Sequence, residues 1–290
     1  MKLKILITIC LLNIFQLCNA QGVSCEASEI TTILKNMNTS GKFVRVRQKP
    51  DSVQYSIAGK IHFAQNGNDI LYYCQDSTIV LGRNCSEMFS GKNGFHFTEI
   101  DLSGFNFKRV TNMSGMFSNC EELKKVTYGL VISDSLKNMS TMFSHCTNLD
   151  SVDLSGFNTE NVKLMNKMFC NCKNLKKVNL QNFNTEKVNN MLAMFLNCKQ
   201  LEVLDISSFN TSRVYNMHGM FQQCNNLKTI YVSTNFVTKQ AQGEQMFEGD
   251  TLLTGGKGTI CPGNYEESNI KFAKIDGNGG KGYFTEKKTE

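Results

Sequence analysis

The chain has 290 residues, 41% of them apolar and 19% charged, and a formal net charge of +6. That apolar share excludes wholesale disorder, and so small a charge does not point to nucleic acid as a partner. Only two prolines are present, which suits a chain whose bends are closed by Asn, Ser, Thr and Gly.

Residues 1–20 read as a secretory signal. Lys2 and Lys4 supply the positive start, Ile5 to Leu12 the apolar run, and Cys18-Asn19-Ala20 a small-x-small cleavage site. The mature chain is then expected to begin at Gln21, with a formal charge lowered from +6 to +4. Two other readings are an uncleaved anchor, which Asn13 and Gln16 interrupt, and lipid attachment at Cys18, where Leu17 is bulkier than such sites usually carry. No second stretch is long and apolar enough to span a bilayer, so no transmembrane segment is expected after cleavage.

Residues 21–85 show no repeat. Glu26 to Met37 has the pattern of a short helix. Val44 and Val46, then Val53, Tyr55 and Ile57, alternate with polar residues as strands do, and Ile70 to Tyr73 is a compact apolar run. The region is expected to be a small α/β cap. Lys42 to Lys49 is a short basic cluster, expected to face solvent or to touch a surface or glycan.

A fixed period governs the chain from about residue 86 to 250. Met116-Phe117, Met142-Phe143, Met168-Phe169, Met194-Phe195, Met220-Phe221 and Met246-Phe247 recur every 26 residues, and Met88-Phe89 precedes the first by 28. Cys120, Cys146, Cys172, Cys198 and Cys224 follow at one fixed offset, and Asp250 takes the sixth place. Such a period signals a solenoid, in which each coil buries its apolar side against its neighbours. Leu149, Val152, Leu154, Phe157, Val162, Met165, Met168 and Phe169 open columns that the next two units repeat in chemical type. Leu-x-x-Val-x-Leu has the alternation of a short strand, so stacked units predict a parallel sheet along one face. Asn158-Thr159, Asn184-Thr185 and Asn210-Thr211 are polar columns expected to satisfy the backbone at a bend. Asn112 to Phe117 has apolar residues at helical spacing and predicts about one turn of helix on the opposite side. Tyr128 to Ile132 breaks the pattern without changing the length. Residues 251–290, rich in glycine, are expected to form a loop-rich cap over the last unit.

The unit Met-Phe-x-x-Cys-x-x-Leu-x-x-Val-x-Leu-Ser-x-Phe-Asn-Thr-x-x-Val-x-x-Met-x-x-Met-Phe resembles the BspA-type leucine-rich repeat of bacterial surface proteins. Lys271 to Gly277, followed by Gly282-Tyr283-Phe284-Thr285, resembles that family's ending; the likeness covers roughly residues 70–285. The resemblance implies an α/β leucine-rich-repeat solenoid, secreted or held at a cell surface and used for adhesion rather than catalysis. The tail Thr285 to Glu290 departs from members that carry a Leu-Pro-x-Thr-Gly sorting signal.

Ten cysteines remain after signal cleavage, enough for five disulfides in an exported protein. The even spacing of Cys120, Cys146, Cys172, Cys198 and Cys224 favours a buried ladder of free thiols, with bridged rungs as the alternative. Cys25, Cys74, Cys85 and Cys261 lie outside the ladder, where a disulfide in the N-terminal cap is plausible. Cys170-x-Cys172 near His145 has the residue types of a zinc site but no paired C-x-x-C motif, so no metal is expected. Nucleophilic and metalloprotease motifs are absent; of the four histidines, His62, His96, His145 and His218, the last two sit in variable repeat positions beside polar neighbours, and the Met113 to Met217 stripe reads as core. No catalytic residue and no cofactor is therefore expected. Asn38, Asn84, Asn112, Asn138 and Asn210 head N-x-Ser/Thr sequons. The outward strand positions, by contrast, change from unit to unit: Ser151, Lys177, Val203, Thr229 in one column, Asp153, Asn179, Asp205, Tyr231 in the next. They are the candidate binding face, for an extracellular or host protein or a glycan. The alternative is a structural spacer with no ligand of its own.

Overall fold

The computed structural model describes residues 22–76, 78–129, 133–277 and 280–287. The expected signal segment, and Leu130 to Ile132 in the irregular unit, lie outside the described residues.

The first elements are strand β1 (Val23–Cys25) and helix α1 (Ala27–Leu34). The helix begins at a capping box formed by Glu26 and Glu29, where the Glu26 amide donates to Glu29 Oε2 (2.8 Å). It buries Ala27, Ile30 and Leu34, one apolar stripe, and stops three residues before the expected end. Strands β2 (Lys42–Arg45), β3 (Tyr55–Ile57), β4 (Ile61–Asn66), β5 (Asp69–Cys74) and β6 (Ile79–Leu81) follow. In the repeat region lie β7 (Glu99–Leu102), β8 (Phe105–Asn106), β9 (Lys125–Tyr128), β10 (Ser151–Asp153), β11 (Lys177–Asn179), β12 (Val203–Asp205) and β13 (Thr229–Val232). The last strand is β14 (Thr285–Glu286).

The N-terminal strands are continuous with the repeats. β3, β4 and β5 form an antiparallel meander, β5 pairs parallel to β2, and β2 continues parallel to β7 and β9 in one six-stranded sheet. A separate parallel sheet joins β1, β6 and β8. Instead of one sheet running the length of the array, the later strands form two more, β10–β11 and β12–β13–β14. The registers follow the period: Val152 faces Val178, and Leu204 faces Ile230. These strands are only three or four residues long, so each contributes few ladder bonds, and other parts of the unit supply more of the joining.

One such part is the segment at Met-Phe. Its apolar spacing predicts a helical turn, but the structure has consecutive tight turns instead. Gly115, Thr141, Lys167, Ala193, Gly219 and Gln245 all have positive φ, and so do Asn119, His145, Asn171, Asn197, Gln223 and Gly249 four residues later. Left-handed residues every fourth position interrupt a helix, yet they return the apolar side chains to one side at nearly the same spacing. The backbone amides thus freed bond to the next unit. Phe117 N donates to Met142 O, Phe143 N to Met168 O and Phe169 N to Met194 O, each at 2.9 Å. Parallel bridges link Asn84, Asn112, Asn138, Leu164, Asn190, Asn216 and Gln242 in sequence.

Between these two joined sides runs a column of rings. Phe89, Phe117, Phe143, Phe169, Phe195, Phe221 and Phe247 stack in order, with centroids 5.2–6.0 Å apart and planes within 17° of parallel. Both ends of the column are closed edge-on. Phe43 meets Phe89 at 5.2 Å and 61°, and Tyr283 meets Phe247 at 5.3 Å and 89°. Each such contact contributes about 0.5–1.5 kcal/mol beyond its buried area, so neither end leaves a ring face open to water. Met113, Met139, Met165, Met191 and Met217 are fully buried beside the column.

A third joint is polar. Thr159, Thr185 and Thr211 are buried. The Thr185 hydroxyl donates to Asn210 O (2.8 Å) and accepts from Asn210 N (2.8 Å), and Thr159 does the same with Asn184 (3.0 and 2.8 Å). Thr211 clamps Val237 instead (2.6 and 2.7 Å), because the β13 unit carries one extra residue before its phenylalanine, Phe236. The neighbouring Asn158, Asn184 and Asn210 each accept, at Oδ1, the amide two residues on. The polar pair therefore closes a bend and fastens it to the next unit.

Candidate binding face

The strands bring the outward columns into register. Ser151 lies beside Lys177 and Asp153 beside Asn179; Val203 lies beside Thr229 and Asp205 beside Tyr231. Ser151, Lys177, Asp153 and Val203 are exposed, and the others are half-buried. Val203 is 51% exposed, one of few large apolar side chains left open to water.

The second column has a local duty that alternation does not reveal. Asp153 Oδ1 accepts from Ser155 N (2.9 Å), Asn179 Oδ1 from Gln181 N (3.2 Å) and Asp205 Oδ1 from Ser207 N (3.0 Å). Asp101, at the end of β7, does the same with Ser103 N (2.8 Å). These are Asx turns at the strand exits, so Asp or Asn here forms the bend. The bonds to the Ser155 hydroxyl and amide hold Asp153 below the usual carboxylate range. Burial opposes the charge of Asp205, but the bonds from Lys287 and Ser207 outweigh it and lower its pKa. Lys287, one residue past β14, pairs directly with Asp205. Ser151 donates its hydroxyl to the adjacent Asp150 Oδ1 (3.0 Å), which leaves Lys177, Val203, Thr229 and Tyr231 as the side chains of the face without a bond of this kind among the described residues.

All ten described cysteines are free and buried. Those at the repeat position point inward and donate to the preceding unit. Cys146 Sγ reaches Phe117 O (3.0 Å), Cys172 reaches Phe143 O (3.0 Å), Cys198 reaches Phe169 O (3.2 Å) and Cys224 reaches Phe195 O (3.0 Å). Cys120 reaches Phe89 O (2.9 Å) across the longer first unit. Burial pushes the Cys120 thiol up to about 12 and raises Cys146, Cys172 and Cys198 as well, which suppresses the thiolate and with it nucleophilic reactivity. Cys25, Cys74 and Cys85 are likewise unpaired, so the disulfide plausible for the N-terminal cap is not formed.

Asp250, in the sixth rung, is buried. Its Oδ1 accepts from Cys224 N (2.8 Å), whereas Oδ2 has no partner. Burial raises its pKa to about 8 against the opposing bond from Cys224.

His145 lies between Ser144 Oγ (Nδ1, 2.9 Å) and Asn171 Nδ2 (Nε2, 3.0 Å), at the head of a surface amide row that Asn197 continues (2.6 Å). Among the described residues no group of three His, Cys, Asp or Glu is placed to hold a metal ion. In the basic cluster, Lys42 pairs with Glu99 (2.7 Å) and Arg45 donates to Ser103 O (3.3 Å). Each sequon asparagine closes an Asx turn, accepting from Ser40, Ser86, Ser114, Ser140 or Ser212 N. The Asn-x-Ser/Thr spacing is thus accounted for by backbone geometry. The sequence did not signal the cations Arg83, Arg109 and Lys137, which line one groove although only Arg83 and Lys137 share a repeat column.

Parallel strands in register, a ring stack, a thiol row and a hydroxyl clamp, all at one spacing, define a tandem-repeat protein of 26-residue units. The family model described as Mycoplasma protein of unknown function, DUF285, matches residues 80–152 and 137–255, more than half of the chain, and the protein belongs to that family. No curated protein and no solved structure matches it. No described helix is long and apolar enough to cross a membrane.

Proposed function

We propose that this protein is an exported leucine-rich-repeat solenoid of the BspA type, acting at the cell surface or in the medium as an adhesin-like binding protein. Its partner is an extracellular or host protein or a glycan, and the reading involves no catalysis. The observation that carries it is the division of labour within the unit. Residues that join one unit to the next recur in most copies, while Ser151, Lys177, Val203 and Thr229 differ at equivalent places of one column and Tyr231 departs from the Asp or Asn of the next. A regular scaffold with a variable exposed row is the usual basis of recognition in repeat proteins. The partner should engage Val203 and Tyr231 as apolar and aromatic anchors, with Lys177 at the rim.

The test is an array of extracellular proteins and glycans probed with the purified protein, followed by Val203→Ala, Tyr231→Ala and Lys177→Ala against the ligand found. Loss of binding without a change in melting temperature supports the face. Binding unchanged in all three variants refutes it. An array with no ligand at all favours the spacer.

A further inference from the structure

A groove of about 1130 Å³ lies just past the bend that carries Thr159, lined by Glu26, Arg83, Lys108, Arg109, Asp134 and Lys137 among others. Four cations face two carboxylates there, and both carboxylates are engaged elsewhere. Asp134 Oδ1 accepts from Asn158 Nδ2 (3.2 Å), and Glu26 belongs to the capping box of α1, its carboxylate packed against Gly82. Among the described residues no ion pair involves Arg83, Lys108, Arg109 or Lys137, although Lys42, Lys60, Lys187 and Lys228 each have an acidic partner.

Two of the cations, Arg83 and Lys137, stand on one backbone ladder. Thr111 N donates to Arg83 O (2.8 Å), Lys137 N to Thr111 O (2.9 Å) and Lys163 N to Lys137 O (2.8 Å). Lys137 and Lys163 therefore stand on neighbouring rungs, roughly 5 Å apart along the array. Lys163 lies outside the groove lining, and neither lysine has an ion-pair partner among the described residues. The remaining lining is Gly82, Asn84, Thr111, Ser135 and Asn161, with no apolar or aromatic side chain. That composition provides no pocket for the apolar anchors of a protein partner and no platform for stacking bases. It offers charge, hydroxyls and amides to a hydrophilic, extended anion.

We propose that this groove binds a linear polysaccharide bearing carboxylate or sulfate groups. The site is distinct from the strand face, so the two stand or fall separately.

The full-length protein is tested on immobilised heparin and alginate, with neutral dextran as the uncharged comparison and vesicles of phosphatidylglycerol and phosphatidylcholine as the other anionic surface. Binding to heparin or alginate but not dextran is expected. Arg109→Gln with Lys137→Gln should weaken it about tenfold or more near physiological salt and make the salt dependence shallower by about one per cation removed. Lys173→Gln with Lys199→Gln, which removes two exposed charges elsewhere, should leave it unchanged, and melting curves check that both variants fold. The proposal is overturned if neither polysaccharide binds, if the two double variants weaken binding equally, or if the vesicles bind as tightly as the polysaccharides.

Discussion

Replacing Thr185 by valine tests the polar joint. Valine keeps the shape of threonine and removes the hydroxyl. In the structure that hydroxyl is the partner of both Asn210 N and Asn210 O, each at 2.8 Å, in a buried position. The variant therefore strands the amide and the carbonyl of the half-buried Asn210. An unmade buried hydrogen bond costs about 1–3 kcal/mol, and two at one peptide, partly relieved by backbone shift or a trapped water, give about 2–4 kcal/mol. Thr185→Ser retains the hydroxyl and loses only a methyl, a cost of about 1 kcal/mol. Urea unfolding followed by circular dichroism should therefore rank the wild type above Thr185→Ser and both above Thr185→Val. Hydrogen exchange gives a local readout, since the Asn210 amide should lose protection in the valine variant alone. A valine variant within about 0.5 kcal/mol of wild type, with the Asn210 amide still protected, would refute the clamp as a structural joint.

The other expectations concern single rungs. In the folded protein a thiol reagent should label almost none of the ten cysteines from Cys25 to Cys261, and all ten after denaturation, because burial shields them from the reagent. Asp250 has a folded pKa of about 8 against an ordinary value of 3.8, so the folded state holds its proton more tightly than the unfolded state. Its effect on stability is most favourable below about pH 4 and is lost as pH rises towards 8. Asp250→Asn should flatten that part of a stability–pH profile, and Asp250→Cys, which restores the ladder residue, should raise the melting temperature at pH 8. Thr141 is β-branched at φ 55°, so Thr141→Gly should gain up to about 1 kcal/mol in urea unfolding despite losing the hydroxyl bond to Ser140 O.

Columns were legible in the sequence wherever one residue type does one job. Met, Phe and Cys at fixed offsets foretold a buried row because only packing constrains them, and the register of Ser151 with Lys177 follows from the same count. Hidden features were those in which two geometries share a spacing or one residue does two jobs. Apolar positions at i, i+3 and i+4 fit a helical turn, but they fit successive turns with Thr141 or Lys167 left-handed equally well. Asp153 and Asp205 look like free outward residues because alternation says where a side chain points and not what it bonds. β4, almost wholly buried at Ile61 to Ala64, lacks the alternation that marks a half-exposed strand. Of the groove cations, Arg83, the Lys108-Arg109 pair and Lys137 come from three separate stretches of chain and become neighbours only when units are laid side by side.

The clamps, thiols, bridges and rings have one repeat length in common, and that restricts how such a chain can change. A 26-residue insertion placed between Cys146 and Cys172 would give every new side chain an equivalent partner. An insertion of ten or fifteen residues there would put four sets of contacts out of step at once. Smaller changes survive only where a loop can take them up: the two extra residues between Phe89 and Phe117 are accommodated around the 3-10 turn at Gly91–Asn93, and the extra residue before Phe236 is met by a clamp that closes on Val237. Relatives should accordingly differ in length by whole units, and a truncated or duplicated gene would yield a foldable product chiefly when cut in that phase.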